Sequence, residues 1–308
     1  MAEQIESGAR EPVTLTKQAD AGAAWENPLI PNAKLLQIYR AMMQARALAR
    51  GMSAGMSGRT AGLDAGAVTA GTLGLEACLV GAAVDLGQGD LVSDALAGDV
   101  MELLRGTGRR AAVQLPGAAD AAERIWTALG AASALQAATA QSRFEAKAKG
   151  AADATTGRQA GVVVVYALPD SVSRVLWRKA LRFAAEHELP VVFVLLPAAG
   201  ARGSKARKAR VGGASALARG CGVPAIAVDA NDAVAIYRVA QESIGRAREG
   251  GGAALMECVP FALEGMAEKR TAANDAVTGL ERYLLQHGVA SKAWMKHEAK
   301  AFAKRAAR

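Results

Sequence analysis

From Ala33 to Arg50 the apolar residues Leu35, Ile38, Tyr39, Met42 and Ala49 recur at helical intervals, while Arg40, Gln44, Arg46 and Arg50 take the remaining positions. That period gathers the apolar side chains on one stripe, so the segment is predicted to be an amphipathic helix. A Gly/Ser/Met loop follows from Gly51 to about Gly66. Gly74 to Asp85 reads as a second helix whose small residues, Ala77, Gly81, Ala82 and Ala83, let another backbone pack close; it ends at Gly87-Gln88-Gly89-Asp90. A strand-like Leu91-Val92, a helix ending near Arg105 and a Gly/Arg-rich turn lead into an Ala-rich helical run, Ala118 to Lys149.

The period then changes. Val162 to Tyr166 is a short β-branched run, and Leu189 to Leu196, Ala225 to Val228 and Ala253 to Val259 are others, each separated from the next by a helix-length segment. Strands alternating with helices require crossover connections, which build a mostly parallel sheet covered by helices on both faces, so the predicted class is α/β. The helix from about Ser171 to Glu188 places Val172, Val175, Leu176, Ala180, Phe183 and Ala184 on one predicted face. Another, Asp232 to Arg248, opens at Asp229-Ala230-Asn231-Asp232, where Asn231 or Asp232 can accept from the free first-turn N–H groups. Metal binding by Asp229, Asn231 and Asp232 is the sharper alternative, but the spacing of a hard-cation loop with its terminal Glu is missing.

Residues 1–30 read as a disordered tail, with Asn27-Pro28 and Pro31-Asn32 as punctuation and order expected from Pro31. The last stretch, 291–308, reads as a basic helix carrying Lys292, Lys296, Lys300, Lys304, Arg305 and Arg308. With 51% hydrophobic residues in 308, the chain can bury a sizeable core; only 4% are aromatic, so small side chains and close helix approaches must fill it. Cys78, Cys221 and Cys258 stand far apart without CxxC spacing and are expected to be buried, reduced thiols rather than a disulfide framework. No stretch reaches transmembrane length and the acidic amino terminus lacks the order of a signal peptide, so a cytoplasmic location is expected.

Net charge is +8, and part of it is concentrated: Arg202, Lys205, Arg207, Lys208 and Arg210 share one Gly/Ala/Ser-interrupted loop. This loop is a possible anion-binding surface, though a solvated loop is the plainer reading. No aromatic residue is interleaved there to stack on bases, which argues against nucleic acid. Three histidines, His187, His287 and His297, lack a neighbouring nucleophile or carboxylate pattern, and Gly250-Gly251-Gly252 precedes a strand rather than the helix that a phosphate cradle needs.

Five blocks in order, Leu36 to Met43, Gly74-Leu75-Glu76-Ala77 through Ala83, Glu188-Leu189-Pro190-Val191-Val192-Phe193-Val194, Gly222 to Asp232 and Ala253 to Glu257, resemble the alpha subunit of the thiamine-diphosphate-dependent dehydrogenase component of 2-oxoacid dehydrogenase complexes. The resemblance covers roughly residues 33 to 290. It implies a thiamine-diphosphate-binding fold over 31–290, and an oligomer that is either homomeric or formed with a beta-type chain. In that family a magnesium ion holds the diphosphate through oxygen ligands from a Gly-Asp-Gly turn and an Asn-containing motif.

Those motifs are not matched here. Counting back from Leu189-Pro190, the turn falls on Leu168-Pro169-Asp170, with Pro169 at the ligand position; Asp170 is one place out of register and better explained as the cap of the following helix. The Asn pair falls on Pro197-Ala198, which carries no side-chain oxygen. A Tyr-Arg-x-His stretch becomes Val92 to Asp99, an Arg-Gly-His loop becomes Glu264-Gly265-Met266, and the Gly-rich segment shrinks to about Gly106 to Gly117. Glu76 alone matches a motif residue, and a helix carboxylate in a capping or subunit contact accounts for it. The expectation is a degenerate alpha-type subunit with no catalytic residues and no cofactor of its own. Two alternatives stand beside it: an active 2-oxoacid dehydrogenase with thiamine diphosphate and magnesium, completed by a beta-type partner, and an anion-binding scaffold.

Overall fold

Consecutive valines make a strand only where both sheet faces are covered, and the fold supplies that cover. The computed structural model describes residues 26–55, 74–93, 112–115, 120–148, 160–197, 213–259 and 275–306. Strands β1 (Leu91–Ser93), β2 (Val113–Gln114), β3 (Val163–Ala167), β4 (Val191–Leu195), β5 (Ala225–Asp229) and β6 (Ala254–Val259) form one six-stranded sheet in the order β2-β1-β3-β4-β6-β5. Every neighbouring pair is parallel, with Val163 opposite Val191 and Leu195 opposite Glu257. Crossovers in both directions distribute the helices α1 (Asn32–Gly55), α2 (Glu76–Ala83), α3 (Ala121–Ala148), α4 (Arg174–Glu186), α5 (Gly213–Arg219), α6 (Ala233–Arg248), α7 (Ala276–Gln286) and α8 (Lys292–Ala306) over the two faces.

Alternation along each strand divides the interior into two cores. Val164, Tyr166, Val192, Val194, Met256 and Cys258 face one way, toward α1, α2, α6 and α7; Val163, Val165, Val191, Phe193 and Leu255 face the other, toward α3, α4 and α5. Small residues on α2 permit the close approach anticipated from sequence: a Cβ on Gly81 would lie 2.7 Å from Ile236 Cγ2 of α6. Cys78 and Cys258 are buried and free, but Cys221 is only half-buried, since it sits in the turn after α5 rather than in a core. Hydrogen bonding with Cys258 and burial push the Cys78 thiol well above the ordinary range, so it has no thiolate character.

Several boundaries differ from the sequence reading for identifiable reasons. Residues 26–30 of the predicted tail are packed on the fold: Ile30 is fully buried and Asn27 Nδ2 donates to Tyr283 Oη at 2.9 Å, while residues 1–25 lie outside the described residues. The strand β2 lies inside a segment read as a turn, because two residues carry no detectable period. Helix α4 is rotated from its predicted phase; Trp177, Ala180, Leu181 and Ala184 form its buried face and Val175 is exposed. Helix α1 continues to Gly55, past the predicted start of the loop, whose remainder lies outside the described residues, as does the predicted helix ending near Arg105; α5 falls in the helix-length segment expected between β4 and β5, and α7 has no counterpart in the sequence reading.

Arg46 does not belong to the solvated face of α1. Its Nε donates to Glu76 Oε1 at 2.9 Å, and its two terminal nitrogens clamp Asp275 at 2.8 and 2.5 Å, joining α1, α2 and the start of α7. Burial alone would raise the Asp275 carboxyl, but hydrogen bonds from Arg46 and Thr278 outweigh it and hold the group at about 2. A carboxyl depressed in the folded state stabilises above its unfolded value and loses that contribution as pH falls through the folded one. Between about pH 4 and pH 2 this group should therefore cost the protein up to about 2 kcal/mol of unfolding free energy. Arg46→Met leaves the buried Glu76 carboxylate without its cation; urea unfolding at neutral pH is expected to show a loss of about 3–5 kcal/mol, with a shallower acid limb.

Candidate functional site at the carboxyl ends of the strands

In an open parallel sheet, ligands are taken beyond the carboxyl ends of strands whose connections leave in opposite directions. Here β1 connects outward to β2 while β3 leads the other way to β4, so the divergence falls between β1 and β3. Ser93 ends β1, buried, with its hydroxyl 3.4 Å from the carbonyl of Arg124. Ala167 ends β3, and its carbonyl accepts from Leu196 N at 2.8 Å, which ties the tips of β3 and β4 together.

Beyond Ala167 the chain turns on its own groups. Leu168 packs against the core, and its carbonyl accepts from Ser171 Oγ at 2.7 Å. The Pro169 carbonyl accepts from Trp177 Nε1 at 2.9 Å, and the indole itself stands edge-on to Phe193 of β4, ring centroids 5.9 Å apart. Asp170 is exposed and does not cap α4. That role falls to Ser173, whose extended backbone lets its hydroxyl accept from Leu176 N at 3.2 Å; the turn at 169–170 delays the helix by three residues and carries Asp170 outward. Pro197 is half-buried at the tip of β4. Ala198, Met266 and the basic residues Arg202, Lys205, Arg207, Lys208 and Arg210 lie outside the described residues, as do Asp94 to Asp99 and Glu264-Gly265.

A carboxylate at the same end of the sheet went unassigned in the sequence. Glu257, opposite Leu195 and Ala227 in register, is buried and accepts from Ser215 N and Ser215 Oγ, both at 2.7 Å, and from Ala214 N at 3.4 Å. Its signal was a lone charge inside the apolar run Ala254–Val259, which burial tolerates only with hydrogen-bonding partners. Those partners are the first amides of α5, so the charge closes a helix start rather than facing solvent.

The Asp229 to Asp232 turn resolves as a cap, as the sequence suggested. Asp232 Oδ1 accepts from Val234 N at 3.0 Å and Ala235 N at 2.9 Å, while Asp229 Oδ1 holds Asn231 N at 3.0 Å. With Asp275, Arg282 and Tyr283 these residues line a cavity of about 290 Å³ between the β5–α6 turn and α7. Among the described residues no three His, Cys, Asp or Glu side chains converge as metal ligands. Glu76, the one matching motif residue, is buried against Arg46 through Oε1, and Oε2 has no hydrogen-bond partner. His187 and His287 close the ends of α4 and α7, stacked or tilted on Phe183 and Tyr283 at 4.3 and 4.5 Å, and His297 is exposed on α8.

An all-parallel α/β sheet with helices on both faces, its strand tips gathered at one end, defines the class to which this protein belongs. The sequence matches the family model of the dehydrogenase E1 component over residues 65–307, most of the chain, and the chain belongs to that family. It is 35% identical over 83 residues to the alpha subunit of acetoin:2,6-dichlorophenolindophenol oxidoreductase of Bacillus subtilis, covering 23% of this chain and 25% of that protein. It is 30% identical over 132 residues to the chloroplastic pyruvate dehydrogenase E1 component subunit alpha-3 of Arabidopsis thaliana, covering 38% and 31%. The Cupriavidus necator acetoin oxidoreductase alpha subunit is 40% identical over 81 residues, covering 26% and 24%. The matched stretches thus span between about a quarter and a third of these relatives' lengths. No helix among the described residues is long and apolar enough to cross a membrane.

If the indole N–H is what satisfies the Pro169 carbonyl, removing it strands a polar group in a half-buried turn. Trp177→Phe keeps the ring contact with Phe193 and is expected to lose about 1–3 kcal/mol in urea unfolding. A loss no larger than a few tenths would mean that water already serves the carbonyl.

Proposed function

We propose that the chain is a dehydrogenase alpha-type subunit that keeps the scaffold and its association surface but does not itself hold thiamine diphosphate and magnesium. The observation that carries this reading is the turn beyond β3. Magnesium needs a near-octahedral shell of oxygens. At the expected ligand position stands Pro169, whose carbonyl is engaged by Trp177. The neighbouring side-chain oxygens point elsewhere: Ser171 Oγ returns to Leu168 O, and Asp170 is exposed. At the β4 tip, Pro197 supplies no side-chain oxygen. These residues do not fit a cation-bridged diphosphate, and no chemical step is routed through one.

What remains is a rigid body of the right family, suited to pairing with a beta-type chain or with itself in the cytoplasm. In that role the chain sets the geometry or abundance of an assembly whose chemistry resides in other subunits. Co-expression with a beta-type dehydrogenase chain tests it: a stable complex is expected that does not decarboxylate pyruvate or another 2-oxoacid when this chain is the sole alpha-type subunit, even with thiamine diphosphate and magnesium supplied. Turnover dependent on this chain would overturn the proposal in favour of an active enzyme completed by its partner.

A further inference from the structure

Two of the three cysteines meet inside the core on the α2 side of the sheet. Cys78 on α2 and Cys258 on β6 are both buried and belong to the same packed cluster. Cys78 Sγ donates to the carbonyl of Ala230 at 3.4 Å, and Ala230 N donates at 2.8 Å to the carbonyl of Val259, the residue after Cys258. Cys258 itself stands opposite Val228 of β5, and both side chains enter the cluster that holds Cys78. There the two thiols hydrogen-bond each other. Cys221 has no part in this meeting, since it follows α5 and packs on the opposite face of the sheet.

The small residues of α2 are what bring the sulfurs together. A disulfide joins Cα atoms no more than about 7 Å apart, so a helix must lie close on a sheet before one can form between them. Ala77, Gly81 and Ala82 allow that approach, and all eight residues of the helix are buried. The two cysteines are about 180 residues apart in sequence, so a bond between them would close a loop that includes most of the chain and would restrict the unfolded state far more than the folded one. It would also fasten to the sheet the helix whose Glu76 holds Arg46 and, through it, Asp275.

We propose that Cys78 and Cys258 are a modification site, closed by a hydroperoxide into an intramolecular disulfide that locks α2 onto β6. Hydrogen bonding with Cys258 and burial hold Cys78 protonated, so the first attack falls to Cys258. Its sulfur takes the distal oxygen of the peroxide as the O–O bond breaks, and its proton leaves with the departing oxygen as water or an alcohol, which gives a sulfenic acid. The Cys78 sulfur then attacks the Cys258 sulfur; the S–S bond forms, the S–O bond breaks, and the Cys78 proton leaves with the hydroxyl as a second water. Two thiols are oxidised and one peroxide is reduced. Burial slows the first step without changing its course, because hydrogen peroxide is uncharged and close to water in size. A thiol already in contact with the sulfenic acid captures it before further oxygen is added. The site lies within the core, so this inference stands whether or not a cofactor is bound at the strand tips.

The test uses the full-length protein, reduced and freed of reductant, then treated with excess hydrogen peroxide with and without urea, unfolded, alkylated and digested for mass spectrometry. From the folded protein a peptide pair joining Cys78 to Cys258 is expected, lighter by two hydrogens, with Cys221 outside it. In urea the yield of that pair should fall and pairs containing Cys221 should appear. The oxidised protein is expected to melt about 3 °C or more above the reduced form, and dithiothreitol should abolish the difference. Cys258→Ala should lose both the cross-link and the shift in melting, whereas Cys221→Ser should keep both. Recovery of Cys78 and Cys258 as free thiols after Cys221 has been fully oxidised, formation of the pair only in urea, or linkage of either residue to Cys221 in the folded protein would each overturn the proposal.

Discussion

A proline at a strand tip offers neither an N–H nor a side-chain oxygen, only a carbonyl, and in this chain the indole N–H of Trp177 takes it. That single bond sets the character of the turn beyond β3. It pins the turn beyond β3 to the first turns of α4, and the same indole, through Phe193, leans on β4. Leu196 N then bonds the Ala167 carbonyl, so β3 and β4 are closed against each other by protein groups. On the neighbouring strand, Glu257 spends its charge on the first amides of α5. Among the described residues, the polar groups beyond β3 and the Glu257 carboxylate of β6 are answered from within the chain.

The rest of the molecule explains why this closure can be rigid. Both faces of the sheet are packed, one by the small-residue helix α2 and by α1, α6 and α7, the other by α3, α4 and α5. Arg46 locks α1, α2 and α7 through two carboxylates, and Arg248 does the same for the amino end of β1 by holding Asp90 at 2.5 Å, a residue whose other oxygen accepts from Val162 N at 3.1 Å. Such buried pairs are costly to break because each would strand a charge, so they fix the relative positions of helices more than they add net stability. The scaffold of a dehydrogenase subunit is thereby maintained by contacts that do not involve the strand tips.

Much of the fold was legible because its signals are local. The β-branched runs at β3, β4 and β6, the alternating helices, and the cap at Asp232 follow from period and from residue type, and the order of blocks pointed to the family. What failed was what depends on tertiary context. Val175 fits an apolar face as well as Trp177 does on periodicity alone, and only packing against Phe193 chose the phase of α4. The cap moved from Asp170 to Ser173 because the preceding turn consumed three residues. Arg46 looked like a solvated charge until Glu76 and Asp275, far away in sequence, were brought beside it. Of the candidate site, Leu168, Pro169, Asp170 and Pro197, read from the sequence as degenerate cofactor positions, fall just beyond β3 and β4, but the groups that engage the turn beyond β3, Trp177 and Ser171, have no motif and become visible only in three dimensions.

The claim that this end of the sheet is closed by the chain's own groups meets its most direct test in isothermal titration calorimetry of thiamine diphosphate with excess magnesium into the isolated chain. The account predicts no binding heat above dilution. A saturable isotherm with micromolar affinity would contradict it.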